Sequence, residues 1–112
     1  MHTKSAIAAL AALAQESRLA VFRLLVATGP QGLAASKIAE ALALPASSLS
    51  FHLKELSHAE LITAKHDGRF IIYSANFAAM RELIGFLSEN CCQGAACDLT
   101  SNPACSPSGC SE

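Results

Sequence analysis

The stretch that most restricts the fold runs from Ser36 to Ala59. In Ser36-Lys37-Ile38-Ala39-Glu40-Ala41-Leu42, Ile38 and Leu42 lie four residues apart, one helical turn. After Ala43-Leu44, Pro45 can preset the first turn of a second helix, and Ser47 and Ser48 offer side-chain oxygens to its unpaired N–H groups. That helix is expected to run to about Ala59, with Leu49, Leu53 and Leu56 as its buried stripe. Two helices joined by so tight a turn, the second with a polar outer face, predict a helix-turn-helix.

The residues after Ala59 narrow the class further. Leu61-Ile62-Thr63-Ala64-Lys65-His66 and Phe70-Ile71-Ile72-Tyr73-Ser74 flank Asp67-Gly68-Arg69. Asp-Gly between apolar-rich runs predicts a hairpin with a type I′ turn, since that turn needs positive φ at both central residues. A hairpin directly after a helix-turn-helix is a wing.

Upstream, residues 3–14 place Ile7, Leu10, Ala11, Leu13 and Ala14 on one helical face. A second helix opens at Glu16-Ser17, seeks a core for residues 19, 22, 25 and 26, and stops at Gly29-Pro30-Gln31-Gly32. Asn76 can cap a last helix carrying Phe77, Met80, Leu83, Ile84 and Leu87 and reaching about Asn90. The expected fold is mainly α with a small β-hairpin, in the order α-α-α-α-β-β-α. Residues 1–90 form one winged helix-turn-helix domain, and residues 91–112 a polar, cysteine-bearing segment.

Composition adds limits. With 112 residues the chain holds one small core, for which dimerisation would be a help. A formal charge of −1 gives no electrostatic pointer to nucleic acid or membrane, so a DNA-binding reading rests on pattern. The opening Met1-His2-Thr3-Lys4-Ser5 lacks the look of a signal peptide, and no run approaches the ~18 to 20 apolar residues of a membrane span. The expected location is the cytoplasm, with no membrane partner.

The candidate DNA face is Ser47, Ser48, Ser50, His52 and Lys54, with Glu55 beside them, Lys37 in the preceding helix and Arg69 at the hairpin tip. Ser and His can meet phosphates or base edges, and Lys and Arg can neutralise phosphates. Taken alone, these residues describe only a solvated helix face and a turn; double-stranded DNA becomes the expected partner when the wing is joined by the family signature given below. Phe51 reads as packing rather than contact.

All five cysteines (Cys91, Cys92, Cys97, Cys105 and Cys110) fall in the last 22 residues. Structural cysteines should scatter among core positions, and in a reducing compartment such a cluster reads as metal-binding or redox-active. Cys91, Cys92 and Cys97 supply the three thiolates that pyramidal arsenite or antimonite takes. Adjacent helical residues point about 100° apart, so the helix must end or distort before Cys91 and Cys92 can share an ion; Gly94 lets the chain turn back to bring in Cys97. Zinc or cadmium would prefer four ligands, which Cys105 or Cys110 could complete. A disulfide switch and a thiol-rich buffering module without DNA binding also stay open. An enzyme nucleophile is disfavoured, because a helix C-terminus raises a thiol pKa and no Cys-x5-Arg loop follows Cys91 or Cys92. No organic cofactor is expected.

The segment from Ser47 to Leu56, followed by Ala59-Glu60-Leu61-Ile62, resembles the S-x-H-L-x-x-L-x-x-A-G-L signature of ArsR/SmtB-type winged-helix repressors. Ala14-Gln15-Glu16-Ser17-Arg18-Leu19 is similar to the family's A-D-x-T-R-L opening of the second helix, and Asp67-Gly68-Arg69 with Tyr73 to its wing motif. The resemblance covers about residues 5 to 90. It implies a homodimer built from the first and last helices (Ile7, Leu10 and Leu13 against Phe77, Met80, Leu83, Ile84 and Leu87) on a palindromic operator. It also implies release of the DNA when a metal or metalloid binds. Glu60 stands where the family usually has Gly, and Ala43 where Gly is common; a left-handed backbone there would store strain of order 1 kcal/mol. Ala34 and Ser36 replace the Cys-x-Cys of the founding arsenic sensors. Family members with thiols after the last helix are similar to this chain down to Asn90-Cys91-Cys92, which implies As(III) or Sb(III) as effector.

Overall fold

The computed structural model describes residues 1–90. Helices α1 (Thr3–Leu13) and α2 (Glu16–Thr28) lead into a short strand β1 (Leu33–Ala34), helices α3 (Ala35–Leu42) and α4 (Ala46–His58), strands β2 (Ile62–Asp67) and β3 (Phe70–Ala75), and helix α5 (Phe77–Leu87). This is the expected winged helix-turn-helix with one addition, β1.

The first two helices turn on a polar hinge. Helix α2 opens at Glu16 as expected, and Gln15 caps it, its Oε1 accepting from the Arg18 backbone N–H at 2.9 Å. Arg18 Nε in turn donates to the Ala12 carbonyl at 2.7 Å, satisfying an end group of α1 with a cation where the helix dipole is negative. Between the two axes the chain bends by 103°. Ala6, Ala9 and Ala12 of α1 are buried, three residues apart, so the small side chains face the core and let the helix come close. Its larger aliphatics Ile7 and Leu10 point the other way. Of the four residues of α2 expected inside, Phe22 and Leu25 are buried and Val26 is partly buried; Leu19 is exposed, and Val21 takes its place.

Helices α3 and α4 pack through Ile38, Leu49, Leu53 and Leu56, all buried as the spacing predicts. Pro45 adopts φ −62°, ψ 145°, which puts it just ahead of α4 as its capping residue rather than in the first turn. No side-chain hydrogen bond caps α4, so Ser47 and Ser48 keep their hydroxyls for other partners.

Both helices end in the same six-residue closure. Leu44 N–H donates to Ala39 O at 3.0 Å and Ala43 N–H to Glu40 O at 3.4 Å, with Ala43 at φ 55°. Leu61 N–H donates to Leu56 O at 3.0 Å and Glu60 N–H to Ser57 O at 2.9 Å, with Glu60 at φ 63°. These are Schellman motifs whose left-handed position ordinarily falls to Gly. The strain expected at Ala43 and Glu60 is therefore present.

The sheet is antiparallel in the order β1-β3-β2. In the hairpin, Asp67 pairs with Phe70, so the two loop residues are Gly68 and Arg69 rather than Asp67 and Gly68. Of these two, only Gly68 has positive φ, at 63°. That is the pattern of a type II′ turn, with Gly first, and it replaces the type I′ turn expected from Asp-Gly. Strand β1 is two residues long, too short for any periodicity. Its mark in the sequence is Gly32: at φ 73°, a Cβ here would strike the Tyr73 carbonyl oxygen and lie 2.9 Å from Ile72 Cγ2. The glycine read as a helix stop is what lets β1 approach β3.

Asn76 caps α5 as expected, accepting from Ala79 N–H at 3.1 Å. Its Nδ2 also donates to Glu60 O at 3.0 Å, and its own N–H to Leu61 O at 2.8 Å. One residue thus joins the end of α4, the base of the wing and the start of α5. Helix α5 stops at Leu87, short of Asn90, with Ser88 Oγ donating to Ile84 O at 2.8 Å. Among the described residues no single helix is long and apolar enough to cross a membrane.

Candidate nucleic-acid interface

Because Leu49, Leu53 and Leu56 hold one side of α4 in the core, the opposite side is left to solvent. Ser47, Ser48, Ser50 and Lys54 are all exposed there. His52 is not on this open face. At about 100° per residue it sits roughly 40° from Leu56, beside the buried stripe. It is half-buried, and its Nδ1 is enclosed with no hydrogen-bond partner among the described residues. The centre of the face belongs instead to Phe51, which was expected to pack and is 55 % exposed. Its ring meets that of His52 edge-on, centroids 5.8 Å apart at 63°.

Apart from Lys54, the cations of the candidate face sit around this helix rather than along it. Lys37 on α3 is exposed, and its Nζ lies 3.9 Å from Glu40 Oε1, an exposed pair that screening weakens. Arg69 projects at the wing tip, exposed as expected, and Gly68 shapes the turn that carries it. Lys65 on β2, also exposed, adds a cation to the wing that was not among the expected contacts. Its signal in the sequence was a lysine within the expected hairpin, and the structure exposes every residue of β2 after Ile62.

A second surface is apolar. Ile7 and Leu10 of α1, 59 % and 41 % exposed, point outward, as do Ile84 and Leu87 of α5 at 36 % and 60 %. Leu13, Phe77 and Met80 are half-buried against the core, and Leu83 is buried within the protomer at 7 % exposure. Leu83 therefore belongs to the core of one chain, not to an interface between two as expected. Its spacing from Met80 and Leu87 does not distinguish the inner from the outer edge of a broad apolar face.

Cys91, Cys92, Cys97, Cys105 and Cys110 lie outside the described residues. Among the described residues no group of three His, Cys, Asp or Glu side chains could hold a metal ion.

The family model of a helix-turn-helix domain matches residues 13–63, from the end of α1 into β2. No curated protein matches the chain. Among solved structures, it is similar to an ArsR-like transcriptional regulator from Rhodococcus sp. RHA1, 26 % identical, with 76 % of this chain and 77 % of that one covered at a TM-score of 0.68. A structure described as a possible transcriptional regulator for arsenical resistance is 28 % identical over 70 % of this chain and 79 % of its own, with a TM-score of 0.61. A homodimeric winged helix-turn-helix DNA-binding domain from Mycobacterium bovis shares the fold at 24 % identity, 78 % and 81 % coverage and a TM-score of 0.62.

Proposed function

We infer that this chain, a winged helix-turn-helix protein with the fold of ArsR-type transcription regulators, binds operator DNA as a homodimer and releases it when a trivalent metalloid occupies Cys91, Cys92 and Cys97. The observation that carries the DNA reading is the uncapped, solvent-facing side of α4 (Ser47, Ser48, Ser50, Lys54) with an arginine-tipped wing beside it. A recognition helix of this kind enters the major groove, and the wing reaches the adjacent backbone or minor groove. The likeness to an ArsR-like regulator supports the same reading. The outward strip of Ile7, Leu10, Ile84 and Leu87 is the surface a second copy covers, and a domain of the same fold is homodimeric.

The effector reading is supported by ligand chemistry. Three thiols within seven residues match the three-coordinate demand of As(III) or Sb(III), and binding releases their protons. Helix α5 ends at Leu87, ahead of Cys91, in keeping with the requirement that this helix end before two adjacent thiols can share an ion. A similar structure is described as a possible regulator for arsenical resistance. Because α5 also carries Ile84 and Leu87, an ion bound just beyond it acts on the dimer surface. A coupling of ~1–3 kcal/mol weakens DNA binding by about 5- to 150-fold, and DNA weakens metalloid binding equally. The cytoplasm supplies the reducing conditions this requires.

The test is a fluorescence-anisotropy titration of bound operator with arsenite, antimonite, zinc, cadmium and peroxide. Arsenite and antimonite should release the DNA, and Cys91→Ser, Cys92→Ser or Cys97→Ser should each abolish the response. Release by zinc but not by arsenite assigns the thiols to a four-ligand site and overturns the effector reading.

A further inference from the structure

Phe51 is the one large apolar side chain on the open face of α4. It contributes to neither the buried core nor the outward strip of α1 and α5. At about 100° per residue it lies within roughly 60° of both Ser47 and Lys54, at the middle of the face that the DNA reading assigns to the major groove. Its ring is braced edge-to-face on His52, whose own ring leans back into the protein. A braced aromatic ring surrounded by Ser and Lys gains little from facing water. In the major groove only one base edge presents an apolar group, the C5-methyl of thymine.

We propose that Phe51 is a specificity-determining residue that reads a thymine methyl in each operator half-site. This rests on α4 being the recognition helix. The seryl hydroxyls beside it can pair with donors and acceptors of several bases and discriminate weakly, whereas a phenyl edge against a methyl distinguishes thymine from cytosine at the same position. His52, half-buried, acts as the support of the reader.

The experiment uses the full chain and a duplex that the wild-type protein enriches from a random-sequence pool. Each thymine is replaced in turn by deoxyuridine, which removes the methyl and leaves base pairing unchanged. The proposal expects one thymine in each half-site whose replacement weakens wild-type binding roughly fourfold, as for the loss of one buried methyl-sized group. Phe51→Ala should bind the parent duplex more weakly and be indifferent to that replacement, and Phe51→Leu should keep part of the discrimination. Wild-type binding that tolerates uridine at every position overturns the proposal while leaving the DNA reading intact. So does a Phe51→Ala variant with undiminished uridine sensitivity. Failure of the wild type to enrich any duplex overturns both.

Discussion

Ala43 and Glu60 hold left-handed backbones at the ends of α3 and α4, φ 55° and 63°. For an L-residue this conformation costs about 1–2 kcal/mol, of which glycine's greater freedom in the unfolded chain returns roughly half. Glu60 carries a second penalty, a negative charge at the negative end of the α4 dipole. Ala43→Gly should therefore stabilise by about 0.5–1 kcal/mol and Glu60→Gly by somewhat more, read as higher midpoints in urea. A lower midpoint for either would show that the left-handed closure is not strained. Both sites were legible in the sequence, because the residues around them fit a motif in which glycine belongs. Residue type alone places His52 outside and Phe51 inside, and the structure reverses both because helical angle decides. Phe51 lies about 160° from Leu49 on the wheel, and that angle, not its hydrophobicity, sets its exposure.

The elements were legible to the extent that they repeat. Four-residue spacing located the helices, and the buried Leu49, Leu53 and Leu56 follow from it. Strand β1 has no repeat, and the hairpin register depends on which two residues form the loop, a choice that Asp67-Gly68-Arg69 leaves open. Gly32 is where these elements interlock. Gly32→Ala must move either β1 or the Tyr73 carbonyl it would strike, and it adds strain at φ 73°. The expected loss is about 2–3 kcal/mol in chemical denaturation, at the upper end for single substitutions. Because β3 continues into the wing, hydrogen exchange should quicken at Ile72 and Tyr73 before it quickens in α4. Uniform exchange across both would mean that β1 does not brace the wing.

At the scale of the whole molecule, the protomer is incomplete on one side and open on another. The strip of Ile7, Leu10, Ile84 and Leu87 is apolar and outward, and a charge set into it should hold two copies apart. Leu10→Glu is expected to sediment as a monomer with its helical circular dichroism retained; a variant that still sediments as a dimer places the interface elsewhere. The sequence marked this surface only as part of one apolar face. Separating inner Leu83 from outer Leu87 needed the packing of α5 itself. The thiol segment lies outside the described residues, and its reading stands on ligand chemistry, spacing and the family resemblance at Asn90-Cys91-Cys92.

The other open side, α4 with its wing, bears the central claim. With a formal charge of −1 over the chain, DNA affinity must come from a few placed cations rather than from a basic surface. The dependence of binding on salt counts them. In a dimer each substitution removes two phosphate contacts, so Lys54→Ala or Arg69→Ala should flatten the slope of log K against log[salt] by about 1.8. Glu40→Ala, which removes no cation, should not flatten it. A wild-type affinity that does not change with salt, or slopes unchanged in both Lys54→Ala and Arg69→Ala, would contradict the claim that this helix and this wing hold DNA.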